Sequence, residues 1–275
     1  MSAAVDEDLQ LAMHAAHEAG KLVMRTFRTE QRVTHKSPDQ PLTEADLAAD
    51  AALKRILLGN RLDYGWLSEE TADNPERLQK RFVWVVDPID GTRSYVAGRA
   101  EFAISIGLAE NHRALLGVVY NPATAEMFVA VRGQGARLLD GELLQVRRDA
   151  DSRALLASRS EISGGELDPF NETFEIIPTG STAYKLAKIA AGEAEAFVSR
   201  GPKSEWDVCA GALLVEEAGG RATDLRGREI LYNQQHTDIY GIVASNSALH
   251  SELIDRIASL PESKRLSGWI EHHDR

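Results

Sequence analysis

Phe82-Val83-Trp84-Val85-Val86-Asp87-Pro88-Ile89-Asp90-Gly91-Thr92 is an apolar run that closes on two acids. The β-branched and aromatic residues of 82–86 suit a buried strand, and Pro88 and Gly91 then turn the chain. Pro88 cannot extend a ladder and Gly91 allows backbone to approach a ligand closely, so Asp87 and Asp90 converge where the strand ends. Converging carboxylates repel unless a cation lies between them. A hard divalent ion such as Mg²⁺ suits ligands that offer only oxygen. Asp-Pro and Asp-Gly pairs standing alone are turn formers, so the reading depends on other acids.

Three further segments supply them. Ser68-Glu69-Glu70-Thr71 follows the short apolar stretch Tyr64-Gly65-Trp66-Leu67, which brings Glu69 to an adjacent strand end. Trp206-Asp207 opens the amphipathic segment 208–218, closed by Gly219-Gly220 as a helix C-terminus should be. Thr43-Glu44-Ala45-Asp46 reads as an N-terminal capping arrangement before a helix over 47–58, which is compatible with a place near the acids. Taken singly, Asp207 would complement a helix dipole and Glu69-Glu70 would be a solvated loop.

The chain of 275 residues, 43% hydrophobic, is long enough for a large core in one or two closely joined domains. A net charge of -11 argues against gripping a nucleic-acid backbone, whereas small phosphorylated metabolites stay open because bound cations reverse the local field. The single cysteine, Cys209, excludes an intramolecular disulfide and a thiolate metal cluster, and reads as a small buried helix residue. No basic, hydrophobic leader and no membrane-length apolar run is visible, so a soluble cytoplasmic protein is expected, with no membrane partner.

Periodicity predicts a helix over 8–27, a hairpin or mobile loop over 28–41, and strands at 102–108, 115–120 and 126–131. Gly133-Gln134-Gly135 lacks the third glycine of a dinucleotide fingerprint and reads as a hairpin turn. From Arg153 strands (155–158, 196–199, 239–244) alternate with helices (181–191, 206–218, 247–259). The polar interval 145–152 marks a junction between an N-terminal α+β half, 1–148, and a C-terminal α/β half, 149–275. The charged tail after Pro261 is a loosely held end unless Trp269 packs it back.

In this order and at these separations, the motifs 68–71, 87–92 and 206–211 resemble the inositol monophosphatase superfamily of metal-dependent phosphomonoesterases, over nearly the whole chain. Thr43 to Asp46 also looks like the family's threonine-x-x-aspartate segment. The resemblance implies a layered α/β/α/β/α sandwich with two or three Mg²⁺ ions where the halves meet. Position by position, it implies that Glu69, Asp87 and the Ile89 carbonyl bind one ion and that Asp87, Asp90 and Asp207 bind a second. A third ion near Glu69, inhibition by Li⁺ and a homodimer are further implications. Thr92, hydrogen-bonded toward Asp46, would orient the nucleophilic water with help from Glu69, giving direct in-line hydrolysis without a phosphoenzyme. A helix starting after Asp90 would turn the Gly91 and Thr92 amides toward the phosphate.

The haloacid dehalogenase phosphatases also place paired aspartates at a strand end, but two apart, whereas Asp87 and Asp90 are three apart. Within the superfamily, segments 156–160, 180–185 and 201–207 look most like the 3'(2'),5'-bisphosphate nucleotidases, which take one phosphate from adenosine 3',5'-bisphosphate. On that reading Gly180, Ser181, Lys185 and Arg200 bind substrate, with Arg159 and Lys203 as further candidates for the second phosphate. For any one of these cations, ordinary solvated charge is the plainer reading. Arg93-Ser94-Tyr95 matches neither the nucleotidases nor the inositol phosphatases, so inositol-1-monophosphatase and fructose-1,6-bisphosphatase remain alternatives. Outside enzymes, the alternative is a module that binds divalent ions or phospholipid.

Overall fold

The structure, a computed structural model, describes residues 3–29, 32–37, 40–147, 153–263 and 266. The strand expected at 82–86 runs on to Asp90 and is second in a six-stranded sheet. Its neighbours are Gly65–Ser68, paired parallel, and Ala103–Glu110, paired antiparallel. Arg113–Asn121, Glu126–Val131 and Ala136–Leu138 complete the sheet. Its register against 103–110 slips between Asp87 and Asp90. Pro88, which has no N–H for a ladder, lies in that irregularity.

Alternate residues of the strand face opposite layers. Trp84 and Val86 enter a core with Leu9, Ala16, Ala19, Leu53 and Leu57 of the helices α1 (Ala3–Thr26) and α2 (Glu44–Asn60). Val83 and Val85 enter a second core on the other face. There lie two more helices, α5 (Thr182–Ala190) and α6 (Glu205–Glu217), named so because two short ones, α3 (Thr92–Val96) and α4 (Arg159–Ser163), precede them. A Cβ on Gly117 would lie 2.7 Å from the Ala210 carbonyl oxygen, so the missing side chain lets α6 lie directly on the sheet. Cys209 is buried in this layer, and burial pushes its thiol well up.

Beyond α5 and α6 stands a five-stranded sheet ordered Glu175–Pro178, Ala154–Ala157, Ala196–Ser199, Ile242–Asn246, Gly220–Thr223. The helix α7 (Ser247–Ala258) covers its outer face through Leu253 and Ile257. The result is the layered α/β/α/β/α sandwich expected.

Differences from the expected elements have local causes. α2 begins at Glu44 because the Thr43 side chain and Asp46 cap each other's backbone. The strand expected at 239–244 splits, since Gly241 has φ 62; Asp238–Ile239 pairs with Lys203–Ser204 and the sheet strand starts at Ile242. Strands 175–178 and 220–223 were not expected: Pro178 ends one, and Gly220-Arg221-Ala222-Thr223 carries little apolar signal. Of the two readings of 28–41 the hairpin holds, with Val33–Ser37 antiparallel to Gln40–Thr43. Gly133 to Gly135 is the expected turn, and its amides bind the Glu217 carboxylate. Residues 148–152 of the expected junction and Trp269 lie outside the described residues.

Candidate active site

Asp87, Asp90 and Asp207 each offer a carboxylate oxygen, and these lie within 4.8 Å of one another. Each side chain is held by local structure. Asp87 accepts from the Ile89 amide at 2.9 Å, and Asp90 accepts from the Ser181 hydroxyl at 2.6 Å and the Ala183 amide at 2.5 Å. Ser181 reaches Asp90 from the N-cap of α5 with φ 58, a left-handed conformation uncommon for serine. Asp207 is the third residue of α6 and accepts from the Ser204 amide at 3.1 Å. It thus caps its helix and joins the cluster at once.

Crowding shows in the acidities. Asp87 is pushed well above the carboxylate range by burial, then by the charges of Glu69, Asp90 and Asp207. Burial, then Asp90 and Glu69, push Asp207 up to about 8. Asp90 is also raised by burial, against the hydrogen bonds of Ser181 and Ala183. Several buried acids around one point, with oxygen donors only, fit a hard divalent cation and disfavour soft ions.

The wall beside this floor holds the other expected residues. Glu69 is anchored through its amide on the Val86 carbonyl, and its carboxylate lies 2.7 Å from Lys36 Nζ. Lys36 reaches Glu70 at the same distance of 2.7 Å. Burial pushes Glu70 up to about 7. Thr92 Oγ1 lies 3.2 Å from Asp46 Oδ1 and 3.0 Å from the Ile89 carbonyl. Asp46 meanwhile accepts from the Thr43 amide at 2.8 Å and hydroxyl at 2.6 Å, so the helix cap and the contact with Thr92 coexist. Gly91 caps α3 with φ 95, and a Cβ there would lie 2.9 Å from the Glu101 carbonyl oxygen and 3.1 Å from the Ser181 amide nitrogen.

The model of the inositol monophosphatase family matches residues 4–262. The chain belongs to the inositol monophosphatase family. It is 33% identical over 260 residues to a histidinol-phosphatase of Chlorobaculum parvum, covering 92% of this chain and 97% of that one. To an inositol-1-monophosphatase of Caulobacter vibrioides it is 33% identical over 261 residues, covering 89% and 98%. The solved IMPase of Thermotoga maritima superposes with a TM-score of 0.81 at 28% identity, covering 92% and 97%. This member of the inositol monophosphatase family is accordingly a phosphoric monoester hydrolase. Among the described residues no helix is long and apolar enough to cross a membrane.

The acids floor a cleft of about 360 Å³, also lined by Gly91, Thr92, Arg159, Gly180, Ser181, Lys185 and Lys203. The expected substrate residues divide here. Gly180 donates its amide to Glu101 at 2.8 Å, and Ser181 is committed to Asp90. Lys185 is only 1% exposed, donates to Ser158 Oγ and the Thr179 carbonyl at 3.2 Å, and is pushed down to about 8 by burial. Arg159 forks onto Glu101 at 2.5 and 2.9 Å. Arg200 is a correction: it lies outside the cleft lining, donating to the carbonyls of Glu166, at 3.0 Å, and Pro261. Side chains alternate at the end of strand 196–199, so Ser199 turns to Glu161 while Arg200 turns to the C-terminal segment. Sequence reasoning missed Lys36, Glu101 and Glu161, each an ordinary charged residue without a motif around it.

Proposed function

We propose that the protein hydrolyses the monophosphate ester of a small hydroxylated metabolite, using Mg²⁺ held by Asp87, Asp90 and Asp207 with Glu69 and the Ile89 carbonyl. The convergence of three carboxylates within 4.8 Å, those of Asp87 and Asp90 buried and that of Asp207 half-buried, at the base of an open cleft carries this reading. When bound, the divalent ions supply positive charge that polarises the phosphoryl group and lowers the pKa of water.

The chain's own residues then position the reactants. Thr92, held by Asp46, presents its hydroxyl to the attacking water, and Glu69 beside it takes a proton. The amides of Gly91 and Thr92 open the first turn of α3, where N–H groups have no intrahelical acceptor, and they face the phosphate oxygens. The water oxygen bonds to phosphorus as the ester P–O bond breaks in line, and the departing alcohol oxygen takes up a proton.

A monophosphate fits better than the bisphosphate suggested by the sequence. Of the cations suggested for a second phosphate, Arg200 faces away, Arg159 is matched to Glu101 and Lys185 is enclosed, which leaves Lys203 alone among them at the cleft surface. Magnesium as the ion, sensitivity to Li⁺ and work in the cytoplasm belong to the same proposal.

Phosphate release from inositol 1-phosphate, histidinol phosphate, fructose 1,6-bisphosphate and adenosine 3',5'-bisphosphate, with and without MgCl₂ and LiCl, tests it. A monophosphate should give the highest kcat/KM. A nucleotide in first place would reinstate the nucleotidase reading. No release from any ester would leave a module that binds ions or phospholipid.

A further inference from the structure

Asp50 is buried in the interior of α2, where aspartate is a poor helix former and a carboxylate away from water is costly unless it is hydrogen-bonded. Two hydroxyls meet that need. Oδ1 accepts from Ser68 Oγ at 2.5 Å and Oδ2 from Thr71 Oγ1 at 2.5 Å. One carboxylate therefore grips the chain on both sides of Glu69 and Glu70. This stretch has little else to hold it: the strand ends at Ser68, and the backbone bends through 69–71 and runs irregularly to Pro75.

The same face of the helix holds the opposite wall. Asp46 lies one turn before Asp50, about 6 Å along the axis, and meets Thr92 Oγ1 at 3.2 Å. α2 is itself fixed, through Leu53 and Leu57 in the core against the sheet. Two carboxylates a turn apart on one rigid element thus hold Thr92, which orients the attacking water, and the segment bearing Glu69, which takes its proton.

We propose that Asp50 is a positioning residue of the metal site: through Ser68 and Thr71 it sets where the Glu69 carboxylate stands relative to Thr92, and with it both cation affinity and turnover. The inference rests on the reading of Glu69 as a metal ligand and proton acceptor. Thr71→Val and Ser68→Ala each remove one hydroxyl at nearly constant shape, whereas Thr71→Ser keeps it. Asp50→Asn keeps polar atoms that can meet both hydroxyls, and Asp50→Leu keeps none.

The readouts are Mn²⁺ binding to substrate-free protein by titration calorimetry, and kcat and KM for the best ester of the panel above. Tyr64→Phe, which removes a 2.8 Å hydrogen bond to Asp8 outside the cleft lining, controls for a general loss of stability. The Mn²⁺ Kd should rise roughly fivefold in Thr71→Val and in Ser68→Ala, and on the order of twentyfold in Asp50→Leu. kcat should fall by similar factors with KM little changed. Thr71→Ser and Asp50→Asn should stay within about twofold of the unmodified enzyme, and Tyr64→Phe should lower Tm alone. Hydroxyl variants that lower Tm but leave Mn²⁺ affinity and kcat unmoved overturn the proposal and leave the phosphatase reading intact, as does a Thr71→Ser that falls as far as Thr71→Val. Should Asp50→Leu not fold, the hydroxyl variants decide alone. An unmodified enzyme that binds Mn²⁺ but releases no phosphate would fell the phosphatase reading instead, with the calorimetry still deciding on Asp50, and one that binds no Mn²⁺ would fell both.

Discussion

The floor of the cleft and its rim both carry many charges, but their states differ. On the floor, Asp87, Asp90 and Asp207 press on one another and are held by backbone amides and, for Asp90, also the Ser181 hydroxyl, and among the described residues no lysine or arginine forms an ion pair with them. Around the rim, Arg159 is already forked onto Glu101 and Lys36 bridges Glu69 and Glu70. Charges that lack partners are the ones available to a ligand, so the floor offers a cation site while much of the rim is spoken for. Counting charged residues near a cleft would treat both regions alike and would assign substrate contacts to side chains that hold the fold.

The floor is where a substitution should cost most. Asp90→Asn keeps the acceptor for Ser181 and Ala183 in part but removes one charge from the cluster. Mg²⁺-dependent kcat should fall on the order of a hundredfold or more, while the fold stays intact by circular dichroism. Near-normal turnover at saturating Mg²⁺ would erase the contrast between floor and rim.

The same crowding predicts a pH dependence of stability in metal-free protein. Asp207 is raised from an ordinary value of roughly 4 to about 8, so the folded state holds its proton more tightly than the unfolded chain does. Its contribution is fully present below that ordinary value and is lost as pH rises through about 8. The Tm of metal-free protein should therefore decline across this window, Mg²⁺ should raise Tm most at its upper end, and Asp207→Asn should flatten the decline. A slope identical in wild type and Asp207→Asn would remove the floor's claim to be the strained region.

Away from the cleft, Arg200→Met strips donors from the Glu166 and Pro261 carbonyls. A loss of about 1.5–3 kcal/mol in unfolding free energy is expected, with KM for every ester unchanged. A rise in KM confined to bisphosphates would return Arg200 to the substrate site.

How far the sequence reveals this molecule follows the same line. Asp87 and Asp90 are legible because the strand that carries them and the turn that joins them are local features. Asp207 is legible for a similar reason, since a capped helix start fixes where its third residue lies. The rim is a tertiary matter. Nothing near Glu101 says that it will meet Arg159, 58 positions away, and nothing in the charged hairpin marks Lys36 as the residue that reaches Glu69, 33 positions on. Arg200 shows the reverse error: its type and its place before Asp207 suggested a phosphate contact, whereas alternation along strand 196–199 sends it to the opposite side from Ser199. Among the strands, Gly220–Thr223 escaped because its pairing partner, Ile242–Asn246, supplies the apolar signal that it lacks.

The smallest expected effect lies where floor and rim touch. Lys36 bridges Glu69 and Glu70 at 2.7 Å with about a quarter of its side chain exposed, 26%. Burial alone would push its ammonium down, but the Glu69 charge and the bonds to both glutamates hold it above its ordinary value, so it stays charged at any working pH. A lysine in this position neutralises Glu69 and at the same time competes with a metal ion for its oxygens. Lys36→Met removes the competitor and leaves Glu69 and Glu70 as unmatched neighbours, which a divalent cation is well suited to relieve. The Mg²⁺ concentration for half-maximal activity should fall by about two- to threefold, because a partly exposed ion pair is worth only about 0.2–1 kcal/mol. Stability without Mg²⁺ should drop by a similar amount. A rise in the Mg²⁺ requirement would show that Lys36 supports the floor rather than competing with it, and the division between the two regions would have to be redrawn at Glu69.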